Sequence, residues 1–484
     1  MECRHFPRCP GCAYVGRPYE AQLERKRERL ARAFSLFPHL PAVGPVRPAI
    51  RTEGYRHRVK LPVHVGKDHV SVGLYDPDTK RVLDTPDCPV LEPGLRDALP
   101  RVADFLRGRR GVHSIDLRRS AATGELALVL AVRGGELDGG PRAARKLVRD
   151  LPGLASVAVS VADPEGKRVM GREPHVIAGA KSIEESIGAT RYRLHAGAFF
   201  QVDPVNAEQV HAAVRELVGN ARTVLDLYAG VGAYGLMLAE GRDRVTLVEE
   251  VPAAARSARE RAPRNVEVIE GRVEDVSLNG TWDVAILNPA RRGSDPATLR
   301  WLARAARRLV YVSCGPETLA RDLDCLAAYG MRAGAVRPID LFPQTPEVET
   351  VVRLDPAPRL DERRIRGPWH GEPSGAVGKP TRLLALVIGD VRSGRGVERI
   401  ASVATHTLVR IEGGALAGLK RHHRIAGEDP RTRRFFAERA GLVRPFVHVE
   451  RAGKVTAPLH GDLVLALEAL GAPPRVWEPR RRRD

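Results

Sequence analysis

The sequence predicts an α/β chain built around a doubly wound, mostly parallel sheet. Three observations carry that reading. From about residue 196, short apolar strands alternate with helical segments. The first of these strands runs into a glycine-rich turn, Ala229-Gly-Val-Gly232. With 484 residues, 43% hydrophobic and 28% charged, the chain is long enough for several cores and ordinary in composition for a globular protein.

The elements follow in order. Residues 1–12 form a cysteine-rich leader carrying Cys3, Cys9 and Cys12. Residues 13–195 read as an α+β domain, with a helical pattern over 21–37 and strand-like runs at 71–75, 126–132 and 155–161, and without a clean βαβ alternation. Residues 196–356 hold the doubly wound part. Its strands are read at 224–228, 245–248, 266–269, 284–287 and 309–313, with helices running to 240, through 261 and over 298–307. Residues 357–382 are rich in Pro, Gly and Arg and read as a linker. A small α+β region at 383–473, with strands at 383–388 and 463–467, precedes a basic tail at 474–484.

The net charge of +19 favours a polyanionic partner, nucleic acid above all, although a genome that codes arginine freely would give the same excess. Aromatic residues make up only 5%, which argues against a broad base-stacking surface. No apolar stretch approaches the roughly 18 residues of a membrane helix, and Met-Glu-Cys-Arg-His lacks the features of a secretory signal. A cytoplasmic monomer with no membrane partner is expected.

In Asp226-Leu-Tyr-Ala-Gly-Val-Gly232, glycines at a strand-to-helix turn let a ligand approach the backbone. Glu249 ends the next strand, placed to accept hydrogen bonds from a ribose. NAD and S-adenosylmethionine enzymes share this arrangement, so the segment specifies an adenosine-containing cofactor and no more. Cys314 directly follows the strand at 309–313, at the end where a doubly wound sheet places its ligand crevice, and is a candidate nucleophile if its thiolate is favoured. Cys325 lies mid-helix among apolar residues and reads as inert. Downstream, the loop Asp340-Leu-Phe-Pro-Gln-Thr345 leads through two candidate bases, Glu347 and Glu349, into a strand at 351–354. Cys3, Cys9, Cys12 and Cys88 offer four soft ligands, whose spacing fits zinc and an iron–sulfur cluster equally. Tyr55-Arg-His-Arg-Val-Lys60 alternates along a strand, so Arg56, Arg58 and Lys60 share one face suited to phosphates.

These residues together resemble the RNA uracil-5 methyltransferases, especially those of bacterial 23S ribosomal RNA. The match runs from Cys3 to about Leu354. It rests on the four cysteines with Cys88-Pro-Val-Leu, Tyr55-Arg-His-Arg58, Phe199-Phe-Gln201, the 226–232 turn, Val248-Glu249, Asn288-Pro-Ala-Arg-Arg-Gly293, Ser313-Cys-Gly-Pro316 and Phe342-Pro-Gln-Thr345 with Val348-Glu349.

The resemblance implies a Rossmann-like methyltransferase sheet behind an RNA-recognition domain, with S-adenosylmethionine rather than NAD as cofactor and a [4Fe–4S] cluster on the cysteines. It implies Cys314 as nucleophile toward uracil C6 and Glu349 as the base that removes the C5 proton. Gln201, Tyr228, Gly230, Gly232, Glu249 and Asn288 would contact the cofactor. Asn288, Ala290, Ala233, Arg272 and Asp203 depart from the common pattern and bear on cofactor affinity. The substrate expected is 23S ribosomal RNA, with transfer RNA as the alternative. A catalytically impaired RNA-binding or ribosome-assembly protein is the reading from another class. Beyond 382, Arg424-Ile-Ala-Gly427 and the stretch 434–446 faintly resemble large pseudouridine synthases, without their catalytic aspartate.

Overall fold

The computed structural model describes residues 1–358 except 36, 38, 162–170 and 172, and beyond them the backbone of six short strands. The strand expected at 463–467, most of the basic tail, nearly all of the linker and the pseudouridine-synthase-like stretches lie outside the described residues.

After the leader comes helix α1 (Tyr19–Ser35). The first sheet holds β1 (Arg58–Val65), β2 (Val70–Tyr75), β3 (Val82–Asp84), β4 (Val112–Arg119), β5 (Leu126–Val132), β6 (Leu154–Val161) and β7 (His175–Gly179), in the order β3-β2-β1-β4-β5-β6-β7. Helices α2 (Pro93–Leu106) and α3 (Gly140–Asp150) cover one face, burying Leu95, Leu99, Val102 and Leu147 against Ile115, Leu117, Leu128 and Val157. All its neighbours are antiparallel except β5 and β6, which are parallel and joined through α3. One βαβ unit therefore stands where none was read. Its helix buries little beyond Ala144 and Leu147, so its apolar pattern is short.

The hairpin β8 (Ser182–Ile187) and β9 (Thr190–His195) and helix α4 (Pro204–Val218) lead into the second sheet. This sheet comprises β10 (Thr223–Leu227), β11 (Arg244–Glu249), β12 (Val266–Glu270), β13 (Val284–Leu287), β14 (Leu309–Ser313), β15 (Met331–Ile339) and β16 (Glu349–Pro356). The order is β12-β11-β10-β13-β14-β16-β15, parallel from β12 to β14 and antiparallel at the last two strands. This is the doubly wound sheet expected, with its order reversing between β10 and β13. Helices α4, α5 (Gly235–Leu238) and α6 (Pro252–Arg259) pack on one face; α7 (Pro296–Ala305) and α8 (Pro316–Ala328) pack on the other. Helix α1 joins the latter face through Leu30 and Phe34. A segment grouped in sequence with the first sheet thus belongs to the core of the second.

Candidate active site

Strands β10, β11, β13 and β14 are parallel, so their carboxyl ends share one edge of the sheet. Tyr228, just past β10, holds a left-handed backbone at φ 59°, rare for a side chain of its size, and its hydroxyl pairs with Ser294 Oγ at 2.9 Å. Gly230 also has positive φ, and a Cβ there would meet open space. The other two turn glycines answer to packing. A Cβ on Gly232 would press on Leu236 and Leu247, and one on Gly235 would collide with Leu247.

Glu249 braces this turn. Its Oε2 accepts from Gly230 N at 2.8 Å and its Oε1 from Val251 N at 2.7 Å, leaving lone pairs on both oxygens for a ribose. Burial raises its pKa, opposed by those two backbone bonds. Asn288 follows β13 at the same end, half-buried. Gln201 lies beside the buried Tyr234, two residues before Asp203. A turn open at Gly230, an acid with free lone pairs and half-buried amides at the sheet's switch point suit an adenosine cofactor such as S-adenosylmethionine.

The register of the antiparallel strand brings the catalytic candidates together. Ser313 pairs with Thr350 across β14 and β16, so the next step sets Cys314 beside Glu349. Glu349 begins β16 instead of standing in the loop before it, and it is buried. Burial pushes its carboxyl up to about 7, with Arg291 opposing and Glu347 adding to the rise. Burial, with Glu349 next in weight, pushes the Cys314 thiol up to about 11, again against Arg291. The condition set from sequence, a favoured thiolate, is not met in the free protein: at neutral pH the thiol keeps its proton. Glu347 instead faces Arg29 at 3.5 Å and Arg291 at 3.3 Å.

Several contributors were not legible in the sequence. Asp226 is fully buried at the end of β10. Its Oδ2 accepts from Gly235 N at 2.8 Å, and burial lifts it to about 7. The loop before Glu349 is clamped by α1. Lys26 Nζ donates to Asp340 Oδ1 at 2.5 Å and to the Phe342 carbonyl at 2.9 Å, and Gln22 bonds both backbone and side chain of Gln344. Tyr55 completes the clamp by donating to the Pro343 carbonyl at 2.9 Å. The departures noted above have local roles. Asp203 caps α4 by accepting from Asn206 N at 3.0 Å. The Ala233 carbonyl accepts from Tyr192, and the Ala290 carbonyl accepts from Gly293 N. Arg272 lies at 3.7 Å from both Glu274 and Asp275.

Cys3, Cys9, Cys12 and Cys88 line one cavity of about 520 Å³ with Arg56. All four are unpaired thiols. Burial raises Cys12 to about 12, with Cys88, Cys9 and Cys3 adding to the rise and Arg56 opposing it. Among the described residues, no group of three or more His, Cys, Asp or Glu is set to hold a metal ion. Neither the zinc nor the iron–sulfur reading therefore finds a ready coordination shell among them.

The expected phosphate row is partly spent within the protein. Arg58 is buried in a two-point pair with Asp116, at 2.9 and 2.5 Å, and Lys60, half-exposed, reaches the same carboxylate at 3.7 Å. Arg56 precedes the strand and lies over the Tyr55 ring.

Comparison with known proteins agrees with this geometry. The family profile described as tRNA (Uracil-5-)-methyltransferase matches residues 265–356, which include Cys314 and Glu349. An uncharacterized RNA methyltransferase of Gloeobacter violaceus is 31% identical over 379 residues, 73% of this chain and 82% of its own length. The chain belongs to the RNA uracil-5 methyltransferase family. A second uncharacterized RNA methyltransferase, from Listeria monocytogenes, is also 31% identical, over 73% of this methyltransferase and 83% of its own length. The crystal structure of Pyrococcus abyssi tRNA (uracil-54, C5)-methyltransferase in complex with S-adenosyl-L-homocysteine is similar at a TM-score of 0.59 and 27% identity, covering 72% of this chain and 86% of that one. The methyltransferase is thus an S-adenosylmethionine-dependent enzyme acting on RNA. Among its described residues, no helix is long and apolar enough to cross a membrane.

Proposed function

We propose that this enzyme methylates C5 of a uridine in 23S ribosomal RNA through a covalent adduct on Cys314, with Glu349 as the base. The observation that carries the chemistry is the β14–β16 register, which sets a thiol beside a buried carboxyl raised to about 7, and the choice of 23S RNA rests on the sequence resemblance alone. The Cys314 thiol releases its proton to solvent, Sγ bonds to uracil C6, the C5=C6 π pair moves toward O4 as an enolate, and C5 becomes nucleophilic. S-adenosylmethionine, when bound, supplies an electrophilic methyl group to C5. Glu349 then takes the C5 proton, the C5=C6 bond re-forms and the thiolate leaves. A carboxyl poised near neutral pH suits that transfer. Gln201, Tyr228, Gly230, Gly232, Glu249 and Asn288 form the cofactor pocket, and Arg56 and Lys60 contact RNA phosphates.

Transfer RNA is the second reading, favoured by the activity named for the Pyrococcus abyssi relative. Mapping 5-methyluridine in both RNAs from a deletion strain decides between them. Loss from 23S RNA alone supports the first reading, and loss from transfer RNA alone overturns it. A 5-fluorouracil-substituted RNA with S-adenosylmethionine tests the chemistry: a stable protein–RNA adduct is expected, absent in Cys314→Ala.

We further propose that Cys3, Cys9, Cys12 and Cys88 hold a [4Fe–4S] cluster, which ties the leader to the first sheet. Four thiols on one cavity support it. Iron and acid-labile sulfide in anaerobically purified protein should be present in wild type and lost in Cys12→Ser. Equal contents in the two proteins would refute it.

A further inference from the structure

Three recesses line the first sheet and share residues. The cysteine cavity includes Arg58. Arg58 also lines a recess of about 30 Å³ with Arg118, Lys181 and His195. Lys181 and His195 in turn line a groove of about 880 Å³ between β7 and α6, walled by Arg145 of α3 and Arg256 of α6. The middle recess is too small for more than a water molecule, so the β7–α6 groove is the open one.

Positive charge accompanies the recesses. At the middle one, Arg58 and Arg118 are buried and with Lys60 surround Asp116, with Glu185 the other nearby carboxylate. Glu185 is already committed to the backbone N–H groups of Ala121, Ala122 and Ser186. At the groove end Arg145, Lys181 and Arg256 are exposed. Of the carboxylates there, Glu260 is occupied by His195 at 2.8 Å and Arg193 at 3.5 Å, leaving Glu173. Arg142, Lys146 and Arg149 continue from Arg145 along the exposed face of α3 at helical spacing. At the other end Phe199 is 57% exposed, with the Arg58 guanidinium 5.9 Å from its ring centre, two residues before Gln201 of the proposed cofactor pocket.

We propose that the substrate RNA docks backbone phosphates in the β7–α6 groove, against Arg145, Lys181 and Arg256, while its target uridine is presented to Cys314. This rests on the RNA methyltransferase reading and adds to it a docking surface remote from the reacting atoms. An excess of exposed cations along an open groove of about 880 Å³ is what a polyanionic strand requires.

The test is a triple variant, Arg145→Glu, Lys181→Glu and Arg256→Glu, beside a control reversing equal charge on the α2 side, Arg101→Glu, Arg107→Glu and Arg110→Glu. Binding of a fluorescein-labelled single-stranded RNA with one central uridine is followed by anisotropy over a range of salt. With melting temperature and S-adenosylhomocysteine binding unchanged, the groove variant should bind at least about tenfold more weakly. Its log–log salt slope should be shallower by about 2, from three lost phosphate contacts. The control should lose far less. Equal losses in both variants, or an unchanged groove variant, overturn the docking surface while leaving the RNA methyltransferase reading intact. A wild-type protein that binds no RNA overturns both.

Discussion

Glu349 opposes the ionisation of Cys314, and burial raises both groups, which fixes how activity should respond to pH. A carboxyl raised to about 7 must lose its proton before it can take one from C5, and a thiol raised to about 11 supplies more thiolate with every step upward. Single-turnover methylation should therefore climb from about pH 6 to about pH 9 without a plateau near neutrality. A flat profile over that range would show that neither group titrates in the rate-limiting step. Glu349→Gln keeps the shape and removes the base. It should lower turnover by roughly 10²–10⁴-fold and let the Cys314–RNA adduct accumulate on unmodified uridine, visible as a mass shift. Arg291, the cation opposing both rises, was quoted as part of a motif, but its electrostatic role shows only once β13, β14 and β16 lie side by side.

The turn after β10 and the clamp from α1 carry the consequences at the scale of elements. In the turn, Gly235→Ala would drive a methyl into Leu247 and should cost about 1–3 kcal/mol in denaturant unfolding. Gly230→Ala meets open space, so its cost is the left-handed backbone, about 1 kcal/mol, and its main effect should be weaker S-adenosylhomocysteine binding by calorimetry. Equal stability losses at the two positions would contradict this division. In the clamp, Lys26 and Asp340 are both fully buried, so Lys26→Met leaves a carboxylate without its cation. A loss of about 3–5 kcal/mol is expected. The strands of the second sheet were legible because buried parallel strands read as apolar runs. The clamp was not, because a lysine and a glutamine on an Arg-rich helix look solvated until a loop more than 300 positions away folds over them.

Over the whole molecule, buried acids and histidines divide the pH range. Asp226 and Glu349, at about 7, and Asp203, at about 6, lie above their unfolded values because burial disfavours their charged forms. Each therefore binds more protons folded than unfolded, and its contribution to stability is lost as pH rises through the folded value. His211, lowered to about 3, and His39, lowered to about 4, act only below the ordinary histidine value of 6.5, where the unfolded chain gains protons first. The melting temperature should consequently rise as pH falls from about 8, and rise less steeply below about 6.5, where the two histidines offset part of the gain from the three acids. In Asp226→Asn the upper limb should flatten, and an unaltered limb would remove Asp226 from this account. The sequence by itself determined the doubly wound sheet, the glycine turn and the candidate thiol and base, because each is written in local periodicity or in a motif a few residues long. The tertiary structure alone decided that Cys314 adjoins Glu349, that Arg58 is spent on Asp116, that α1 belongs to the second core, and that Arg145, Lys181 and Arg256 meet along one groove. Those outcomes depend on burial and on charges brought together from distant segments, and neither quantity exists until the chain has folded.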